Sequence, residues 1–140
     1  CEPHALGLPD GRILCQLRLE GEEYFSVWQS ESADGGRTWS PAARIAAGSP
    51  PHLLLHSSGM LVSSYGCRRD GCGQRVMLSS DGGRSWETDY ILRDDGPTGD
   101  LGYPSTVELS DGSLFTVYYQ QPVPGAQCAL LASRWRLPGA

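Results

Sequence analysis

One pattern occurs twice in this chain: Ser32-Ala33-Asp34-Gly35-Gly36-Arg37-Thr38-Trp39, and again, 47 residues on, Ser79-Ser80-Asp81-Gly82-Gly83-Arg84-Ser85-Trp86. Each copy follows a short strand-like run, Tyr24 to Gln29 and Arg75 to Leu78. Asp-Gly-Gly supplies positive φ at little steric cost, which a tight hairpin turn demands. The Asp carboxylate can accept backbone N–H bonds across that turn, and the Ser or Thr hydroxyl can add another. The tryptophan then leads the next strand with a large apolar surface to bury. Ser32, Asp34, Gly36 and Trp39, with Ser79, Asp81, Gly83 and Trp86, therefore read as structural staples of two hairpins. A Ca²⁺-binding loop is the rival reading. It fails because each loop offers one acidic residue where such a site needs several at alternating positions plus a distal Glu.

Setting the two copies in register exposes a longer repeat. Glu2-Pro3-His4 to Leu14, Pro50-Pro51-His52 to Val62 and Tyr103-Pro104-Ser105 to Phe115 share one frame, with Gly11, Gly59 and Gly112 separated by 48 and 53 residues. Each segment reads as strand, turn, strand, and two more strands joined by the Asp-Gly-Gly turn complete a unit. Four antiparallel strands per repeat of roughly 40–50 residues is the signature of a propeller blade. Units at about 1–48, 49–101 and 102–140 are expected. The last is incomplete: Ala129 to Ser133 aligns with the strand before an Asp-Gly-Gly turn, and Arg134-Trp135-Arg136-Leu137 follows instead. A β-sandwich of similar strand count is the alternative all-β fold, and the repeat argues against it.

Composition narrows the partners. Eighteen glycines and ten prolines among short apolar runs fit a turn-rich β protein. A net charge of -5 makes nucleic acid an unexpected partner, and no run reaches the length of a membrane-spanning helix. The five cysteines (Cys1, Cys15, Cys67, Cys72, Cys128) include no CxxC pair, so no metal site is expected and no cofactor motif is present. Cys67 and Cys72 could close a disulfide around Arg68-Arg69-Asp70-Gly71 if the protein is secreted or periplasmic; free thiols are the other option. The chain opens at Cys1 in the middle of a motif, which reads as a fragment or processed piece.

The repeated pattern resembles the Asp-box, or BNR repeat, of sialidases (neuraminidases) and related β-propellers. That resemblance implies an all-β chain: about three four-stranded antiparallel blades of a six-bladed sialidase-type propeller, its C-terminal half. The missing N-terminal half would then be its structural partner. Sialidases carry Glu-Pro at the start of one blade and an Arg at the end of the following strand, which Glu2-Pro3 and Arg18 match. A further arginine lies before the next Asp-box, where Arg68 is the nearest match and Arg69 stands beside it. A Tyr in a Gly-Tyr-Ser context before an Asp-Gly turn completes the set, matched by Gly102-Tyr103-Pro104-Ser105 and Asp111-Gly112 with a proline inserted. The family's following strand usually ends Tyr-Glu; here it ends Tyr119-Gln120.

The resemblance implies an exo-acting sialidase that releases terminal sialic acid with retention, present here as a C-terminal fragment expected to be inactive alone, with Tyr103 and Glu2 catalytic and Arg18 and Arg68 binding a sialylated or other acidic glycan. Physical logic supports those roles. A sugar with a carboxylate on its anomeric carbon repels an anionic nucleophile, whereas a tyrosine hydroxyl stays neutral until a neighbouring carboxylate takes its proton. Guanidinium groups provide planar, permanently charged donors for the substrate carboxylate. The alternative function is a non-catalytic Asp-box propeller that binds glycan or protein. In the shared frame Glu2, Pro50 and Tyr103 are equivalent, as are Arg18, Gly66 and Tyr119, and both sets are expected at one channel mouth. His4 and His52 are expected to line the channel in a packing role, with substrate contact by one of them as the alternative. His56 is expected at a turn or on the surface, and Asp94, Asp95 and Asp100 in a solvated acidic loop, with Asp100 reaching the site as the alternative.

Overall fold

The computed structural model describes residues 1–21, 25–69 and 71–139. Tyr24, the expected start of a strand, Asp70, in the loop between the two central cysteines, and Ala140, the end of the third unit, lie outside the described residues. Among the described residues there is no helix, and the strands form three antiparallel sheets. The first sheet runs β1 (His4–Gly7), β2 (Ile13–Glu20), β3 (Phe25–Ser32), β4 (Ala43–Ala47), each hydrogen-bonded to the next. The second repeats that order with β5 (Pro51–Leu55), β6 (Leu61–Cys67), β7 (Gly73–Ser79) and β8 (Glu87–Arg93). The third comprises, among the described residues, β9 (Leu101–Glu108), β10 (Leu114–Gln120) and β11 (Ala129–Trp135).

The glycine frame of the sequence is a structural frame. The inner hairpins close on Gly7 opposite Ile13, Leu55 opposite Leu61 and Glu108 opposite Leu114, the same offsets from Gly11, Gly59 and Gly112. Their turns repeat one hydrogen-bond pattern, exemplified by Leu8 N to Arg12 O and Gly11 N to Leu8 O. All three glycines have positive φ, between 72 and 88°, a conformation that disfavours any residue with a Cβ.

Stacking of the sheets follows from which strand faces are apolar. β6 and β7 are buried along most of their length because the second sheet has a neighbour on each side. β10 alternates between buried and half-buried residues, since only one face of the third sheet is covered. Leu8, Leu14, Leu53 and Leu61 form one core between the first two sheets, and Val27, Ala46, Tyr65 and Met77 form another further out. Val62, Val76, Leu78, Leu114 and Leu137 join the second sheet to the third.

Polar contacts add register to this apolar glue. His4 Nδ1 accepts the Leu53 N–H at 3.1 Å, and His52 Nδ1 accepts the Thr106 N–H at 3.3 Å. Donor and acceptor hold the same frame positions at both junctions, so one bond ties each inner strand to the next. The two imidazoles lie 4.3 Å apart between ring centroids. Burial holds both below the ordinary histidine range, His52 at about 4 with His4 contributing, so both are neutral acceptors near pH 7. His56 corrects an expectation: it starts a turn, yet it is buried, with Nδ1 2.8 Å from Ser58 Oγ and Nε2 3.1 Å from the Gly112 carbonyl. Cys67 and Cys72 are thiols here.

Candidate active site

The β1–β2 type turns and both Asp-Gly-Gly turns lie at one rim, because β1 and β3 run toward it from the other. At the opposite rim β1 and β9 begin and β2, β6 and β10 end. Glu2, Arg18, Arg68 and Tyr103 all sit there, which is why residues far apart in sequence meet.

Tyr103 is aimed by its backbone. Ser105 pairs with Val117 and Gly102 with Tyr119, so β9 carries one more residue than β10 across this step. That extra residue is a β-bulge, a device that re-aims a side chain. Gly102 has φ 126° and Tyr103 φ 52°, while Glu2 has φ 50°. Left-handed backbone is rare for residues with side chains and concentrates where the surroundings over-determine a position. Two of the three non-glycine positive φ values among the described residues fall on Tyr103 and Glu2.

The side chains meet accordingly. Tyr103 donates its phenolic hydrogen to Glu2 Oε1 in a short contact spanning 101 residues of sequence. Glu2 Oε2 accepts from Arg18 Nη1 at 3.0 Å, and Arg18 Nη2 donates to Glu20 Oε1 at 2.7 Å. The Arg18 guanidinium carbon lies 3.8 Å from the Phe25 ring centroid, and that of Arg68 lies 5.4 Å from it. Phe25 thus supplies one aromatic face near two cations. Burial alone would raise the Glu2 carboxyl, but the hydrogen bonds from Tyr103 and Arg18 outweigh it and hold the group below the usual carboxylate range. Donating to Glu2, together with desolvation, pushes the Tyr103 hydroxyl above its ordinary value. At neutral pH the pair is therefore a neutral phenol aimed at an ionised carboxylate.

Arg68 sits at the same rim with its donors turned to the backbone. Its Nη1 donates to Ser49 O at 2.7 Å, its Nη2 to Leu101 O at 2.7 Å and its Nε to Gly99 O at 3.1 Å. It braces the segment leading into β9 against the second sheet. Beside it, Tyr119 donates to Asp100 Oδ1 at 3.1 Å, and its ring lies 5.9 Å from that of Tyr103. Sequence reasoning placed Asp100 in a solvated loop, with a place at the site as its alternative, and gave no role to Glu20 or Phe25. Glu20 had a signal: it lies two residues beyond Arg18 on one strand, and so on the same face.

At the other rim the Asp-Gly-Gly turns bond as expected. Asp34 Oδ1 accepts the N–H groups of Arg37 and Thr38 at 3.0 and 2.9 Å, and Oδ2 accepts Thr38 Oγ1 at 2.6 Å. Asp81 repeats this with Arg84 N, Ser85 N and Ser85 Oγ at 2.9, 2.9 and 2.6 Å. Ser32 Oγ and Ser79 Oγ each accept the N–H of the second glycine, Gly36 or Gly83, at 2.9 Å. The same rim brings Ser58, His56 and Glu108 into line, with 3.3 Å from His56 Nε2 to Glu108 Oε1. This set lacks an oxyanion site: the N–H groups of Ser57, Ser58, Gly59 and Met60 are already bonded to Glu108, His56 Nδ1, His56 O and Ser58 Oγ. It caps a hairpin.

Comparison with known proteins fits this architecture. Residues 1–116 match the family model described as a BNR repeat-like domain. Among solved structures, the chain is similar to a protein of unknown function from Dyadobacter fermentans DSM 18053, with 28% identity and a TM-score of 0.85 over 95% of this chain and 37% of that one. It is similar to the GH93 α-L-arabinofuranosidase of Fusarium graminearum in complex with arabinobiose, at 19% identity, TM-score 0.66, 96% of this chain and 44% of that one. The Hadza microbial sialidase Hz136 gives 16% identity and TM-score 0.69 over 98% of this chain and 33% of that one. This chain therefore spans between a third and somewhat under half of the length of these structures. The last two likenesses show the fold, which is that of β-propeller glycosidases. No curated protein matches the chain.

Proposed function

We propose that this chain, which belongs to the BNR repeat-like domain family, carries the nucleophile side of a sialidase-type glycosidase site. The observation that supports this reading is the Tyr103–Glu2 contact, with Arg18 on the second oxygen of the same carboxylate. In the first step Glu2 takes the phenolic proton while the Tyr103 oxygen bonds to the anomeric carbon. The bond from that carbon to the leaving oxygen breaks, and the leaving oxygen is protonated by an acid other than this pair. In the second step the outside acid, now deprotonated, takes a proton from water as that water attacks the anomeric carbon. The bond to the Tyr103 oxygen breaks, and Glu2 returns its proton to the departing phenolate. Two displacements give retention of configuration. Arg18 offers positive charge for an anomeric carboxylate, and Arg68 holds the segment that carries Tyr103.

A second reading, a glycan-binding propeller without catalysis, is favoured by one observation. Arg18 already serves two carboxylates and Arg68 three carbonyl oxygens, so both cations are engaged before any substrate arrives. Turnover of a fluorogenic α-sialoside by the complete propeller, which also supplies that acid, decides between the two. Tyr103→Phe is expected to lower kcat by about 10³-fold or more with an unchanged melting temperature. Undiminished turnover in that variant overturns the nucleophile assignment, and sialoside binding without turnover by the unaltered complete propeller establishes the second reading. Because Glu2 titrates below its ordinary value of 4.5 and Tyr103 above its own of 10.0, this pair by itself should impose a loss of activity only in acid, below the ordinary carboxylate range, and none near neutrality.

A further inference from the structure

Asp100 lies at the mouth of the site and is exposed, yet it is fixed from every side. Arg68 binds the carbonyls immediately before and after it, those of Gly99 and Leu101, at 3.1 and 2.7 Å. Its own carbonyl accepts the Gln121 N–H at 2.9 Å, and its N–H donates to Thr98 Oγ1 at 3.2 Å. Its carboxylate takes Tyr119 on Oδ1 at 3.1 Å and the Cys128 thiol on Oδ2 at 3.3 Å. Solvated loop carboxylates need no such bracing, because ordering an exposed side chain costs entropy without burying anything. An exposed group held in one geometry by its surroundings is the arrangement of a binding group prepared in advance.

We propose that Asp100, with Tyr119, is a specificity-determining element that recognises hydroxyl groups of the sugar presented to Tyr103. An ionised carboxylate only accepts, and two oxygens offer about four lone-pair positions. Tyr119 and the thiol occupy one on each oxygen, which leaves one on each for ligand hydroxyls. Among the described residues no cationic side chain bonds to the Asp100 carboxylate, so it repels a second anionic substituent on this side of the sugar. Tyr119 and Tyr103, tilted by 35° with centroids 5.9 Å apart, present aromatic surface beside those acceptors. Together they fit the carbon–hydrogen face and hydroxyl edge of a sugar ring. The element therefore selects a sugar whose negative charge, if any, is confined to the Arg18 side and whose Asp100 side is a neutral polyol.

This inference rests on the proposed glycosidase reading for the place of the sugar, and its test separates the two. Binding of N-acetylneuraminic acid and a series of its single-position deoxy analogues is measured by calorimetry for the unaltered protein, Asp100→Asn, Tyr119→Phe and Tyr103→Phe. Asp100→Asn should weaken the parent sugar about tenfold, the worth of one or two hydrogen bonds to a charged acceptor. The same substitution should have no effect on the one or two analogues that lack the contacted hydroxyl. An equal loss for every analogue would mean that Asp100 only shapes the loop, and would overturn the proposal. So would undiminished binding of the parent sugar by Asp100→Asn. A sulfated derivative bearing its charge at the contacted position should gain affinity in Asp100→Asn, and failure to gain overturns the repulsion argument. If the couplings hold while Tyr103→Phe leaves turnover intact, the nucleophile assignment falls and this subsite stands. If the unaltered protein binds none of these sugars, both fall.

Discussion

The two Asp-Gly-Gly turns are bonded alike within themselves and placed unlike in the molecule. In each, one aspartate ties down the same N–H groups and the same hydroxyl. Around the second copy, however, Arg12 donates to Gly82 O at 2.9 Å and Gln29 to Gly83 O at 2.7 Å. Trp86 donates in return to Gln29 at 3.0 Å and packs against both cores between the first two sheets. Trp39 bonds to its own turn, at Gly36 O, and stays 44% exposed. The internal bonding is a property of the local sequence, and the attachment is a property of the neighbouring sheet. The motif is thus a preformed hairpin end that becomes a fastener only where a neighbour supplies partners.

Substitutions at matched positions should break that equivalence, most strongly at the tryptophans. Trp86→Ala empties space shared by two cores and should cost about 3 kcal/mol, against less than about 1 kcal/mol for the exposed Trp39→Ala, read by denaturant unfolding. The glycines come next. A Cβ on Gly83 would stand 2.5 Å from Leu14 Cδ1, whereas on Gly36 its nearest neighbours are 3.9 Å away. Both have positive φ, so Gly36→Ala should cost about 1 kcal/mol from backbone strain alone, and Gly83→Ala about 2–3 kcal/mol once overpacking is added. Equal losses would show that the neighbouring sheet yields freely.

Gln29→Leu tests the attachment without changing a residue of either turn. It strands the Trp86 N–H, the Gly83 carbonyl and the Gln16 amide N–H and should cost about 1–2 kcal/mol. The smallest effect lies in acid. The hydrogen bonds from Thr38 and Ser32 hold the Asp34 carboxyl at about 2, below its ordinary 3.8, and Asp81 is lowered by the equivalent bonds. A depressed folded-state value means the stabilisation is complete above pH 3.8 and is lost as pH falls toward 2. Melting temperatures of Asp34→Asn and the unaltered protein should therefore converge across that window.

Local chemistry made much of this legible from sequence. The Asp-Gly-Gly turns and the Gly11, Gly59 and Gly112 hairpins depend on residues within a few positions of one another, so reading the chain captured them. The common frame also brought Glu2 and Tyr103 to one rim, because repeats of equal construction place equivalent positions alike. What stayed hidden depends on contacts between sheets. The donors of Arg68 reach three carbonyls that no pattern announces, and the bulge that turns Tyr103 arises from pairing with β10. His56 reads as a polar turn residue until the third sheet covers it.

The distance along the chain between Glu2 and Tyr103 also sets an order of events. Folding of stacked repeats can begin with the units made first and spread outward, and long-range closures come late because chain entropy opposes them. A growing polypeptide can complete its first two sheets, with Arg18 already paired to Glu2, while Tyr103 is still disordered. The phenol meets its carboxylate only when the third sheet docks, so that contact is the last thing this stretch of protein acquires.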